Sequence, residues 1–184
     1  MAEYLNTTKR TAKTDLNSHV TYRMTTCAMF AGIITILTAY VGHIPIGVNG
    51  AYIHMGDALI YLAASVLPPP YACLAAAIGG GMADLLTAPV WLPATLLIKP
   101  LLCIPFTFKT NRFICRQNAF ACITAFFITG IGYYIMEGIL YGFQAAAITS
   151  IIANAIQSIG SMIVYLLLGT ALDRMKFKNR IRFC

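Results

Sequence analysis

Charge is what this sequence has least of. Lys and Arg number 13 and Asp and Glu 6 among 184 residues, so 10% of the chain is charged while 59% is hydrophobic. A soluble domain carries about 25% charged residues, and that shortfall excludes an ordinary water-facing surface. Chemistry motifs are missing as well. No G-x-x-x-x-G-K-[ST] phosphate loop occurs, which excludes ATP hydrolysis by that route, and neither HExxH nor G-x-S-x-G is present. The six cysteines (Cys27, Cys73, Cys103, Cys115, Cys122 and Cys184) form no CxxC pair, and most lie in apolar runs. They read as buried small hydrophobes, with no metal or disulfide framework. Tryptophan occurs once, at Trp91.

What is present is a series of apolar runs. They extend over Met24 to Val41, Asp57 to Leu67, Tyr71 to Leu86, Ala94 to Phe108, Ala119 to Met136 and Phe143 to Leu172. Crossing a hydrocarbon core of about 30 Å takes roughly 20 helical residues. The pattern predicts an all-α integral membrane protein of six transmembrane helices, although the second run is short. Three prolines, Pro68 to Pro70, end that run. The expected division is a polar, basic arm over 1–23, a six-helix membrane domain over 24–172 and a basic tail over 173–184. The arm does not read as a cleavable export leader, because the apolar run behind it is long enough to stay in the bilayer.

Orientation follows from the basic residues. Lys9, Arg10, Lys13 and Arg23 lie in the arm, Lys109, Arg112 and Arg116 in the loop after the fourth run, and Arg174, Lys176, Lys178, Arg180 and Arg182 in the tail. With six helices these three places share one side, and the positive-inside rule puts both termini in the cytosol. The net charge of +7 then reports topology and contact with anionic lipid rather than nucleic-acid binding.

Lys99 is the one basic residue outside those clusters, and it sits in an apolar segment with Asp84 close before it in the chain. Intramembrane charges face the bundle interior or a water-filled cavity, usually in pairs. A turn between the third and fourth helices makes them antiparallel neighbours, so the expected ion pair is Asp84–Lys99. It would either only orient the helices or also shape a cavity. Asp57 opens the second helix and reads as a cap that complements the helix dipole. A metal site from His43, His54 and Asp57 lacks defined spacing. Tyr133, Tyr134 and Glu137 cluster at one end of the fifth helix, as an aromatic belt or as ligand contacts. Asn154 and Gln157 share one face of the sixth helix, extended by Ser158 and Ser161. They serve either helix packing or amide recognition of a heterocycle.

Three stretches, "GAYIHMGDALIYLAA", "AAAIGGGMADLL" and "LPATLLIKPLL", resemble the substrate-binding S components of energy-coupling factor (ECF) vitamin transporters. The chain departs from that pattern in following Leu67 with three prolines and in pairing Lys99 with Pro100. The resemblance implies a plasma-membrane uptake subunit of a prokaryote that binds a small vitamin or precursor. It also implies partners: a transmembrane coupling subunit and two ATPase subunits. Docking on the coupling subunit would use small residues of the first helix, here Ala28 and Gly32. The expected substrate contacts are Trp91, Thr95, Lys99, Tyr133, Glu137, Asn154 and Gln157, with no catalytic residue, metal or cofactor. Asp57, Asp84 and Glu137 against Lys99 disfavour a strongly anionic ligand such as folate. A neutral or weakly cationic heterocycle fits these charges better, and the resemblance leans toward members that handle hydroxymethylpyrimidine or pyridoxine-type compounds, with riboflavin as the alternative. The rival reading is a membrane enzyme using Asp57, Asp84 and Glu137 as acid–base groups.

Overall fold

A ten-residue helix, Asp57–Val66 (α2), occupies the middle of the molecule, and every residue of it except Leu59 is buried. The computed structural model describes the backbone of residues 1–41, 44–45 and 52–180 and the side chains of 1, 19–41, 54–144, 146 and 151–180. Around α2 stand α1 (Ala2–Ala39), α3 (Pro69–Thr87), α4 (Leu92–Cys103), α5 (Arg116–Tyr141) and α6 (Phe143–Arg174), with a short α7 (Phe177–Arg180) after them. α2 packs on α1, α3, α4 and α6, and α5 lies between α4 and α6. Two short strands, β1 (Ile44–Pro45) and β2 (Tyr52–Ile53), pair antiparallel before α2, within a segment that reads as loop in the sequence.

The helix ends have local causes. Leu67 is extended, as a residue before proline must be, and this stops α2 at Pro68. Pro69 then opens α3, where its missing N–H costs nothing. A 3-10 turn, Pro89–Trp91, swings the chain into α4. Gly142 takes φ +94°, a conformation that favours glycine, and there the chain passes from α5 to α6. The first apolar run is the second half of a longer helix, since the backbone of α1 is helical from Ala2.

Packing of α3 relies on its three glycines. A Cβ at Gly79 would meet Ile34 and the Ala31 carbonyl of α1 at 2.8–2.9 Å, and one at Gly80 would meet Thr95 at 2.9 Å and Lys99 at 3.2 Å. α3 therefore approaches α1 and α4 closely, and Lys99 is held against glycine backbone.

The outside of the bundle is apolar. Leu97, Phe120, Ile139 and Leu167 are each about two-thirds exposed. Water would make such a surface aggregate, and lipid tails cover it without cost. Among the described residues, three helices are long and apolar enough to cross a membrane: His19–Ala39, Arg116–Tyr141 and Ile151–Arg174. Two apolar helices, Asp57–Val66 and Pro89–Cys103, are shorter. Ten residues make about 15 Å at 1.5 Å per residue, so α2 alone does not span the hydrocarbon core.

The loop after α4 is fixed by polar side chains from three elements. Asn118 of α5, fully buried, accepts from the Thr107 N–H (2.8 Å) and donates to the Phe113 carbonyl (2.9 Å) and to Ser65 Oγ of α2 (3.2 Å). Tyr165 of α6 donates to the same Phe113 carbonyl at 2.9 Å. Asp173 accepts from the N–H groups of Phe113 (2.7 Å) and Ile114 (2.9 Å). Lys178 of α7 donates to the carbonyls of Thr110 (3.1 Å) and Arg112 (3.2 Å) and lies 5.0 Å from the Phe113 ring centroid. Burial pushes the Lys178 ammonium down to about 8.

Candidate functional site

The charged centre of the bundle is built on Asp57, the first residue of α2. One carboxylate oxygen accepts from Lys99 Nζ of α4 at 2.5 Å, and the other accepts from Gln157 Nε2 of α6 at 3.1 Å. Asp57 is wholly buried, and Lys99 is 2% exposed. The ion pair that the structure shows for Lys99 is with Asp57, where the sequence led to the expectation of Asp84. Chain proximity favours Asp84, but the central place of α2 brings Asp57 closer. The capping role expected of Asp57 is corrected, because the N-cap is Gly56 and no side chain caps α2. Asp84 is itself buried on α3, at 4% exposure. Each charge alone would cost about 2.5–3.5 kcal/mol at the bilayer centre; pairing and hydrogen bonding offset much of this.

Above this centre lies an aromatic wall. Lys99 Nζ is 5.5 Å from the Tyr133 ring centroid, a cation–π distance. Tyr133 Oη is 2.9 Å from Thr95 Oγ1, so α5 and α4 are tied one turn from Lys99. The Trp91 ring lies 6.1 Å from Tyr133 and 6.2 Å from Tyr141. Trp91 packs with Ala88, Ala94 and Ile98 beside Tyr133 and Met136. Its indole nitrogen is buried and makes no hydrogen bond among the described residues. Buried indole N–H groups usually find a partner, so Trp91 Nε1 is a donor in reserve. The hydroxyls of Thr129, Ser158 and Ser161 are also buried and make no hydrogen bond among the described residues.

The structure therefore brings Trp91, Thr95, Lys99 and Tyr133 into one connected group, and Gln157 joins it through Asp57. Glu137 is buried on α5, and Asn154 is half-buried on α6 one turn before Gln157. His54 is buried and accepts from the Gly56 N–H through Nδ1. His43 lies outside the described residues. No group of three or more His, Cys, Asp or Glu suited to a metal ion occurs among the described residues. The contribution of Asp57 is what sequence reading missed. Its signal was the polar spacing Asp57, Tyr61, Ser65 on one face of an otherwise apolar helix.

An open cleft of about 230 Å³ lies elsewhere, between Phe126, Phe127, Gly130 and Ile131 of α5 and Ile151 and Ala155 of α6. Its lining is almost wholly apolar, as suits a lipid-facing groove, and of the residues singled out in the sequence only Tyr134 lies on it. Ala28 and Gly32 lie on the exposed face of α1, and a Cβ at Gly32 would meet open space.

Residues 18–174 match the family described as ECF-type riboflavin transporter, S component. No curated protein matches the chain. The match overturns the expectation of a hydroxymethylpyrimidine or pyridoxine-type substrate, since the family is that of riboflavin transport. That expectation rested on the net charge of the nearby groups and on the resemblance, and neither tells one neutral heterocycle from another. The match also removes the membrane-enzyme reading: the protein is a transport component of a multi-pass, plasma-membrane kind.

Proposed function

The chain belongs to the family of ECF-type riboflavin transporter S components, and from this premise we propose that it captures riboflavin for uptake. The observation that carries the proposal is the family match across residues 18–174. The site chemistry supports it. Riboflavin joins a flat aromatic tricycle, an imide edge and a hydroxylated chain. Trp91 and Tyr133 offer aromatic faces for the first, and Lys99, Trp91 Nε1 and Gln157 offer hydrogen bonds for the second. Thr95, Glu137 and Asn154 are polar groups for the remainder. A pocket of apolar walls with a few placed polar groups is the usual form of a cofactor-sized site.

The proposed topology has six membrane-associated helices and cytosolic termini, with the arm over 1–23, the membrane domain over 24–172 and the tail over 173–184. The basic clusters support this orientation. α2, too short to span alone, is sheathed by its neighbours and needs no direct lipid contact. Transport energy comes from a separate transmembrane coupling subunit and two ATPase subunits, in keeping with the absent phosphate loop. The open Ala28–Gly32 face of α1 is the proposed docking surface for the coupling subunit, where small residues let a second helix come close.

Mass spectrometry of the small molecule released from purified, denatured protein tests the substrate. Riboflavin is the expected product. Release of a pyrimidine or pyridine vitamer, with no flavin, would overturn the proposal.

A further inference from the structure

We infer that Asp57 is a positioning residue that sets the polarity of Gln157, so that the amide oxygen of Gln157 accepts the one N–H of the bound heterocycle. The inference rests on the riboflavin reading above and deepens it. Its first premise is chemical. An ionised carboxylate only accepts hydrogen bonds, so the group facing Asp57 Oδ2 at 3.1 Å must be the Gln157 NH₂. The ionised form is held by Lys99 Nζ on the other oxygen, at 2.5 Å. Gln157 is 6% exposed and Asp57 fully buried, so water does not compete for this contact. That contact uses one of the two N–H groups and fixes the amide's orientation, so the Gln157 oxygen is turned away from Asp57 as the acceptor it presents to a ligand.

The second premise is the ligand's own pattern. The oxidised isoalloxazine ring has a single N–H, at the imide nitrogen between two carbonyls, and its carbonyl oxygens and imine-type nitrogens are acceptors. Lys99 keeps two N–H groups after pairing with Asp57, and Trp91 Nε1 is unused. These donors suit the ring acceptors. The Gln157 oxygen is complementary to the imide N–H, and Asp57 makes it so without touching the ligand. An asparagine at position 57 would reverse this. Its amide can offer NH₂ to Gln157, which would then turn its own NH₂ toward the imide N–H, donor against donor.

The test uses riboflavin labelled with ¹⁵N at the imide nitrogen, bound to the purified full-length protein in detergent. In the unaltered protein the imide proton should be protected from exchange and shifted downfield relative to free riboflavin. At saturating ligand, Asp57→Asn should return the shift toward the free value and weaken affinity by about tenfold or more, the size expected when a buried hydrogen bond is left unmade. Gln157→Met, which leaves the Asp57–Lys99 pair in place, should abolish the shift in the same way. If Asp57→Asn does not fold, Asp57→Asn/Lys99→Met leaves no uncompensated charge and carries the same expectation. An imide shift that survives in the Asp57 and Gln157 variants overturns the inference, whatever the affinities do, because a merely structural role leaves that proton where it was. Failure of the unaltered protein to bind riboflavin at all overturns the substrate reading, and this inference with it.

Discussion

At the scale of the residue, the centre of the account is a buried ion pair whose partners come from different helices. Lys99 was legible in the sequence as an intramembrane charge, because a lysine in an apolar run needs a partner. Its partner was not legible. Neighbouring helices in a hairpin suggest Asp84, whereas only the tertiary position of α2 brings in Asp57. Removing one member of a buried pair costs about 3–5 kcal/mol because the other charge is left uncompensated. Asp57→Asn and Lys99→Met should therefore each destabilise the protein strongly, and the double variant should recover part of the loss. A thermal-unfolding double-mutant cycle measures this coupling. The same cycle with Asp84→Asn in place of Asp57→Asn should show a much smaller coupling, and the reverse ranking would restore the Asp84 assignment.

At the scale of the element, hydropathy located the helices well because length and apolar content decide insertion. The second run ends within a residue of α2, and proline fixes that boundary. What the pattern missed arises from pairings that hydropathy does not encode. The β1–β2 ladder is two residues long, and the clamp on the loop after α4 uses Asp173 and Lys178, far along the chain. That clamp makes a pH prediction. Burial of Lys178 holds its ammonium at about 8, against 10.5 in an exposed lysine. Below pH 8 both folded and unfolded chains carry the proton, and the full cost of burying the charge is present. Between about 8 and 10.5 the folded state sheds the proton while the unfolded chain keeps it, so this group's contribution to stability rises with pH. Comparison of unfolding midpoints at pH 7 and pH 9.5 should show Lys178→Met gaining less than the unaltered protein across that interval. Equal pH dependence in the two would remove Lys178 from the account.

At the scale of the whole molecule, the bundle sets one buried charged cluster within an apolar core and turns an apolar exterior outward, where a soluble fold would be polar. The class of protein was readable from the scarcity of charge, and the transporter family from three short stretches of sequence. The substrate was not. Summing charges near the site disfavours a strong anion but does not tell one neutral heterocycle from another, and the orientation of amide groups is invisible before folding. Two predictions belong to this scale. Replacing Ala28 and Gly32 together with leucine should abolish uptake by the assembled transporter and leave riboflavin binding by the isolated chain within about twofold, as expected of a surface away from the pocket. Uptake that persists at normal assembly would place docking elsewhere. In intact cells, Arg112→Cys and Arg180→Cys should be inaccessible to an impermeant thiol reagent added outside, and labelling of either would invert the topology.

The most direct test of the central claim is a calorimetric titration of the purified protein with riboflavin, repeated in the presence of excess hydroxymethylpyrimidine. Saturation is expected at one riboflavin per chain, with a binding curve unchanged by the pyrimidine and weakened by at least about tenfold in Lys99→Met, as for loss of a charged hydrogen-bond donor. Displacement of riboflavin by hydroxymethylpyrimidine, or an affinity untouched by Lys99→Met, would contradict it.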